Sequence, residues 1–136
     1  MPTQIFVNRA VKNIERTRSF YAALGYEFNP QFSNDQALCM VVSDTIHVML
    51  LAEPFFQTFT DKTIVDATKS TEVLVCLSCD SRDQVDTLVA KAVAAGGRTP
   101  RAAQDHGFMY GHGYEDPDGH IWELVHMVPN AAPPHP

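Results

Sequence analysis

The segment 114–124 places a carboxylate in an apolar strand directly after a tight turn. Pro117 fixes one backbone angle and Gly119 accepts positive φ, so the chain is predicted to reverse direction here. Strand geometry then puts Glu123 on the same face as Ile121. A carboxylate on a buried face needs a metal ion, a cation or hydrogen-bond donors, because otherwise it takes up a proton. Glu123 is therefore a candidate catalytic or binding group, and a solvated or Arg-paired carboxylate is the alternative.

The stretch just before this turn is rich in glycine, aromatic residues and histidine. Alternation puts Tyr110 and His112 on one face of a strand and Gly111 and Gly113 on the other. Tyr110 and His112 are predicted to bind a ligand, and the glycine face would let a ligand or partner approach the backbone closely. The alternative is a twisted strand in which the glycines only relieve crowding.

Composition limits the classes of function. The chain has 136 residues, is 45% hydrophobic and has a net charge of −6. It is long enough for one ordinary domain, and the acidic balance without a basic stripe argues against nucleic acid or an anionic membrane as a partner. Since no apolar run reaches the length of a membrane span and no leader is recognisable, we expect a cytoplasmic protein.

The three cysteines are Cys39, Cys76 and Cys79. An odd number argues against a disulfide framework and fits the reducing cytoplasm. Cys76 and Cys79 have CxxC spacing, but on a strand their sulfurs lie on opposite faces. We therefore interpret both as buried small hydrophobic residues rather than a redox pair.

Two stretches of the sequence follow the same order of strand and helix signals. In the first, a strand at 5–10 precedes an amphipathic helix that Asn13 caps and Gly25 ends. Three more strands are predicted between polar turns, at 26–32, 37–42 and 46–51. After a linker with a short helix around 54–59, the order begins again.

In the second stretch, a strand at 72–79 leads to a helix that Asp80 or Ser81 caps and the Gly96-Gly97 pair ends. Extended segments follow near 98–102, 108–115 and 120–127. The sequence thus predicts an α+β protein of two tandem βαβββ modules. We expect a single domain at 1–128, with module one at 4–52, a linker at 53–71 and module two at 72–127, followed by a flexible tail at 129–136.

The two modules, the early Phe-Tyr-x-x-Leu-Gly at 20–25 and the late Asp-Pro-Asp-Gly-x-x-x-Glu-Leu at 116–124 resemble the vicinal oxygen chelate superfamily. This superfamily includes glyoxalases, extradiol dioxygenases and fosfomycin and bleomycin resistance proteins, and the chain most resembles small bacterial glyoxalase-like proteins labelled predicted lactoylglutathione lyase. The resemblance covers about residues 4–127. It implies that the modules form a cup-like, curved mixed sheet.

In metal-using members of the superfamily, one residue from each of four strands holds a divalent ion in the cup. The resemblance places these four positions at Phe6, Met49, Leu74 and Glu123. Only Glu123 can bind a hard cation, because phenyl and isobutyl groups have no lone pair and a thioether is a poor ligand for such ions. We therefore predict no cofactor, and Phe6, Met49 and Leu74 become candidate ligand-binding residues of an apolar cup.

A shifted metal site is the alternative. His47 shares a strand face with Met49, and Glu72 shares one with Leu74, so both could point into the cup with Glu123. One histidine and two carboxylates would suit a divalent iron, manganese or zinc ion. Without a metal, His47 and Glu72 are candidate ligand-binding residues, and so is Asn8, which shares the face of Phe6.

Three functions follow from the resemblance and from these residues. The first is metal-independent binding of a small apolar or aromatic molecule, with Glu123 as its polar contact. The second is a glyoxalase-type lyase or isomerase in which Glu123 is the general base, with a shifted divalent metal ion as an option. The third is a structural or regulatory dimer, since members of the superfamily commonly pair two chains, and we expect a homodimer.

Overall fold

The computed structural model describes residues 2–129, which form two compact units that divide between Val65 and Asp66. Each unit has its own four-stranded mixed sheet. The predicted tail lies outside the described residues, apart from Pro129. Within the described part of the chain, no helix is both long and apolar enough to cross a membrane.

The first unit contains four strands and two helices. Their bounds are β1 Ile5–Val11, α1 Ile14–Ala23, β2 Glu27–Phe28, β3 Ala37–Val41, β4 Ile46–Ala52 and α2 Glu53–Phe56. The Asn13 side chain accepts a hydrogen bond from the Arg16 amide at 3.0 Å, and Gly25 follows the helix with a φ of 99°. These are the start and stop signals that the sequence predicts for α1.

The sheet of the first unit has the order β1-β4-β3-β2, with β1 parallel to β4 and the other pairs antiparallel. Helix α1 contacts β3 and β4 and covers one face of this sheet. The buried side chains of this core include Phe20, Tyr21, Leu38, Met40 and Leu50, which are all at most 1% exposed. Burial of these large apolar side chains is the main stabilising term of the unit.

The second unit repeats this arrangement. Its elements are β5 Val75–Ser78, α3 Arg82–Ala94, β6 Gln104–Asp105, β7 Met109–Glu115 and β8 Ile121–Met127. The sheet order is β5-β8-β7-β6, with β5 parallel to β8. Helix α3 contacts β7 and β8, where Val85, Tyr114, Trp122 and Leu124 are buried. Each unit is therefore the βαβββ module of the predicted α+β fold.

The turn between β7 and β8 is held by Asp116, which is 3% exposed. Its side chain accepts hydrogen bonds from the amides of Asp118 and His120, at 3.0 and 2.9 Å. Gly119 has a φ of 92°, and a Cβ placed on it would lie 2.6 Å from the Ala67 carbonyl oxygen. The predicted reversal is confirmed, and only glycine fits at position 119.

Several strands differ from their predicted length. The strand predicted at 26–32 ends at Phe28, because the Asn29 side chain caps a 3-10 turn at Pro30–Phe32. The strand predicted at 72–79 starts only at Val75. The segment predicted at 98–102 makes one isolated bridge, between Arg98 and Glu115.

Candidate functional site

The second unit contains a cavity of about 480 Å³ on the face of its sheet that α3 does not cover. All four strands of the unit, β5 to β8, border it, together with the segment that precedes β6. The lining residues are Cys76, Pro100, Arg101, Ala102, Gln104, His106, Met109, Gly111, His112, Gly113, Tyr114, Glu115, Ile121, Glu123, Leu124, Val125 and Met127. This volume is in the range of small-molecule sites.

Glu123 lies in this cavity with an exposed side chain, so its carboxylate is accessible to a ligand rather than buried. The register pairs Glu123 with Cys76 of β5 on one side and with Gly113 of β7 on the other. Within residues 2–129, the Glu123 side chain makes no hydrogen bond or ion pair. It is therefore free to accept a hydrogen bond or a proton from a bound molecule.

Cys76 is the neighbour of this carboxylate. Partial burial raises the pKa of its thiol, and the negative charge of Glu123 raises that pKa further. Cys76 thus stays protonated at neutral pH and can only be a weak hydrogen-bond donor to a ligand. The prediction that Cys76 is buried was wrong, because it lies on the open face of β5; Cys79 is buried as predicted.

The opposite side of the cavity is formed by Gln104 and His106. The Gln104 side-chain oxygen lies 3.3 Å from His106 Nε2. Between them, Asp105 faces α3, where its carboxylate accepts two hydrogen bonds from the Arg82 guanidinium, at 2.6 and 3.0 Å. Hydrogen bonding from Arg82 and a further hydrogen bond from the Gly107 amide lower the pKa of Asp105 to about 2. We call Arg82 and Asp105 the α3 clamp; it fixes the wall that carries Gln104 and His106.

The two predicted ligand-binding residues on β7 are on the helix-covered face. Tyr110 donates a hydrogen bond to Asp86 of α3 at 2.6 Å, and the Arg82 guanidinium lies 5.0 Å from its ring centre. His112 borders the cavity, but its Nε2 is 3.0 Å from Thr99 Oγ1 and 2.9 Å from the Arg101 carbonyl oxygen. The glycines, not Tyr110 and His112, therefore face Glu123.

In the first unit, four predicted site residues share one face. The register pairs Phe6 with His47 and Asn8 with Met49. The rings of Phe6 and His47 stack with centres 4.7 Å apart, and His47 Nε2 lies 2.9 Å from the side-chain oxygen of Gln4. Within the described chain, His47 Nδ1 is buried without a hydrogen-bond partner. The structure thus brings Phe6, Asn8, His47 and Met49 together as a mostly apolar surface.

Glu72 and Leu74 both precede β5 and are exposed, with Leu74 56% exposed. The residue that pairs with Glu123 across the sheet is Cys76 instead. Strand β5 starts later than predicted, so Leu74 lies outside the paired part of the sheet.

The donor set does not fit the hard divalent ion that the family resemblance implies. Phe6, Met49 and Leu74 offer no nitrogen or oxygen ligand. His47 Nε2 is engaged by Gln4, and Glu72 lies outside the sheet. Among residues 2–129, no three His, Cys, Asp or Glu side chains are grouped so that they could hold a metal ion.

Among the residues that line the cavity, only His112 and Glu123 were predicted site residues; those not predicted include Cys76, Gln104, Gly111 and Gly113. The spacing of the two glycines, two apart on a strand, is a signal for close backbone approach that sequence analysis can read. Cys76 and Gln104 carry no such signal, because their role depends on register between strands that are distant in sequence.

The sequence matches the family model of the Glyoxalase/Bleomycin resistance protein/Dioxygenase superfamily over residues 4–124. None of the curated proteins matches the chain. Among solved structures, hypothetical protein SA1046 from S. aureus is similar, with 27% identity and a TM-score of 0.77; the match covers 92% of this chain and 94% of that one.

Two further structures show the same fold at lower identity. A glyoxalase/bleomycin resistance protein/dioxygenase family enzyme from Burkholderia phytofirmans PsJN has 16% identity and a TM-score of 0.76, with 93% of this chain and 100% of that one covered. The fosfomycin resistance protein FosX from Mesorhizobium loti has 12% identity and a TM-score of 0.68, with 95% of each chain covered.

Proposed function

Because the chain belongs to the Glyoxalase/Bleomycin resistance protein/Dioxygenase superfamily, we propose that it binds a small apolar or aromatic molecule in the second-unit cavity, without a metal ion. Glu123 is the polar contact of this ligand. The observation that carries the proposal is the accessible Glu123 carboxylate in a cavity of about 480 Å³ whose lining is largely apolar. Ligand sites typically combine such a lining with a few polar groups that fix orientation.

The residues around Glu123 support this reading. Met109, Ile121, Val125 and Met127 line the cavity and supply apolar surface that a ligand would remove from water. Methionine side chains are flexible and polarizable, and they adapt to ligands of different shape. A ligand that carries a hydrogen-bond donor or a positive charge would satisfy Glu123, which has no partner within the described chain.

Thermal shift and calorimetry with a set of apolar and aromatic molecules test the proposal. We expect at least one of them to bind the wild-type protein, and Glu123→Gln to weaken its binding roughly tenfold or more, as loss of a charged hydrogen-bond partner does. Glu27→Gln is the matched control, because it removes an exposed carboxylate outside the cavity. Equal weakening by both variants, or no binding across the set, would contradict the proposal.

A second candidate function is a glyoxalase-type lyase or isomerase with Glu123 as general base. The accessible Glu123 carboxylate in a cavity of ligand size favours this function. A general base must lie within reach of the substrate proton that it removes. The hemithioacetal of methylglyoxal and glutathione, assayed with and without added divalent metal ion, tests this substrate. Turnover that survives Glu123→Gln would remove the proposed base.

We also propose that the protein is a cytoplasmic homodimer. All three cysteines are free thiols, which supports a reducing compartment. Large apolar side chains are exposed at Phe6, Phe59 and Leu74, which are 50%, 68% and 56% exposed, and a second chain could cover them. The oligomeric state is tested below, and cell fractionation tests the location.

A further inference from the structure

Part of the cavity floor is bare backbone, where two glycines of β7 face the cavity. Gly111 and Gly113 lie on the open face of β7, about 7 Å apart, because a strand rises by about 3.4 Å per residue. Gly113 pairs with Glu123, and Gly111 pairs with Gln104 on one side and Val125 on the other. On the open face, strand β7 therefore carries no side chain at two successive positions, Gly111 and Gly113. We call this the glycine trough.

Polar groups stand on both sides of the glycine trough. Strands β6 and β8 flank β7, so that Gln104 and Glu123 are separated by about 10 Å of sheet width. Gln104 offers an amide that donates and accepts, while Glu123 only accepts. The α3 clamp holds the Gln104 wall from behind through two hydrogen bonds of 2.6 and 3.0 Å.

We propose that the ligand of this cavity is a planar heteroaromatic molecule that lies flat in the glycine trough, with N–H donors on the edge at Glu123 and acceptors on the edge at Gln104. This inference rests on the proposed function and narrows its ligand class. A flat ring can contact the strand backbone only where no Cβ holds it away, and the trough provides this over two residues. Paired N–H donors suit a carboxylate, which accepts two parallel hydrogen bonds.

Pterin, lumazine and decahydroquinoline are suitable probes. Pterin is planar, presents a ring N–H and an amino group on one edge, and has ring nitrogens that accept hydrogen bonds on the other. Lumazine has the same flat shape with a carbonyl in place of the amino group, so its oxygen would face the carboxylate. Decahydroquinoline is a cationic amine of similar size that is not planar.

Gly111→Ala is the test of the trough. A Cβ at this position has the Leu124 carbonyl oxygen as its nearest neighbour, at 3.6 Å, so the fold tolerates the substitution. The added methyl group would keep a flat ligand away from the backbone of β7. Gly113→Ala is unsuitable, since its Cβ would lie 2.7 Å from the Trp122 carbonyl oxygen and would shift the backbone. Thermal unfolding of Gly111→Ala verifies that the variant folds.

Calorimetry on the full chain decides the proposal. We expect pterin to bind at least about tenfold more tightly than lumazine or decahydroquinoline. Gly111→Ala and Glu123→Gln should each weaken pterin binding by a similar factor, and the control Glu27→Gln should leave it unchanged. Decahydroquinoline or lumazine binding as well as pterin, or pterin binding equally to folded Gly111→Ala, overturns the inference and leaves the proposed function standing. If none of the three binds and a wider set of apolar fragments also fails, the proposed function itself is contradicted.

Discussion

At the scale of single residues, the chemistry of the cavity depends on which side chains are neighbours across strands. Glu123 and Cys76 are adjacent in the parallel pair of β8 and β5. A negative charge next to a thiol disfavours the thiolate, because the two like charges repel. Partial burial raises the pKa of Cys76, and the charge of Glu123 raises it further.

We predict that Cys76 reacts slowly with iodoacetamide at neutral pH and that Glu123→Gln speeds the reaction. The substitution removes the charge that raises the thiol pKa, so the thiolate fraction at a given pH increases. Peptide mass spectrometry across a pH series separates Cys76 from Cys39 and Cys79, which are buried. An unchanged or upward-shifted pH profile for Cys76 in Glu123→Gln would contradict the neighbour relationship.

The α3 clamp gives a second residue-scale prediction. The pKa of Asp105 is lowered to about 2, mainly by the hydrogen bond from Arg82. Because this pKa is below its unfolded value, the stabilisation is present above the unfolded pKa and is lost as the pH falls towards 2. An NMR titration of Asp105 should give a midpoint near 2, and Arg82→Ala should move it upward. If the Asp105 midpoint is the same in the wild type and in Arg82→Ala, the α3 clamp does not form in solution.

The sequence predicted correctly which side chains share a strand face, because this depends only on the alternation of side chains along a strand. It separates Tyr110 and His112 from Gly111 and Gly113, and it puts Glu123 with Ile121, as the structure has them. It could not tell which face of β7 would be covered by α3, so the contact of Tyr110 with α3 was not foreseen, whereas His112 borders the cavity. Which face a helix covers depends on packing between segments far apart in sequence.

At the scale of elements, the helices were easier to predict than the strands. Helix starts carry local signals such as Asn13 and Ser81, whose side chains accept hydrogen bonds from amides three residues later. A strand has no comparable local boundary, since its ends are set by the partner strand. Strand β5 therefore starts later than its apolar run suggests. The strand expected at 26–32 ends at Phe28 for a local reason, since Asn29 caps the 3-10 turn at Pro30–Phe32.

The cap of α3 provides a prediction at this scale. Ser81 Oγ accepts from the Gln84 amide at 3.0 Å, and the Gln84 side chain accepts from the Asp80 amide at 2.6 Å. Ser81→Ala removes an acceptor for an otherwise unsatisfied helix amide, so we expect the free energy of unfolding to fall by about 1 kcal/mol. Urea unfolding measures this loss. Ser81→Asp, which keeps an acceptor, should stay near wild type, and an equal loss in both variants would mean that the cap does not stabilise α3.

At the scale of the whole molecule, two units share one strand order, β1-β4-β3-β2 and β5-β8-β7-β6. The repeat was predictable because both halves carry the same sequence of strand, cap, helix and glycine stop. The neighbours of Glu123 across the sheet, Cys76 and Gly113, could not be predicted, because no local sequence signal sets the pairing of strands.

The proposed homodimer is tested at this scale. We expect light scattering on the eluting protein to give twice the mass of one chain at micromolar concentration, because a partner would cover exposed side chains such as Phe6 and Leu74. Phe59 is 68% exposed, and if its ring lies in the contact, Phe59→Ser should shift the mass towards that of one chain. A monomer mass throughout a hundredfold dilution series starting at high concentration would contradict the dimer.

The parallel pairs β1–β4 and β5–β8 have a consequence for synthesis in the cell. Ile5 aligns with Ile46, and Val75 with Trp122, so the opening strand of each unit leaves the ribosome long before its partner exists. Until then its backbone groups and apolar side chains are available to other nascent chains or to a chaperone. Each half of the polypeptide thus passes through a vulnerable interval during translation, which ends only when its last strand emerges.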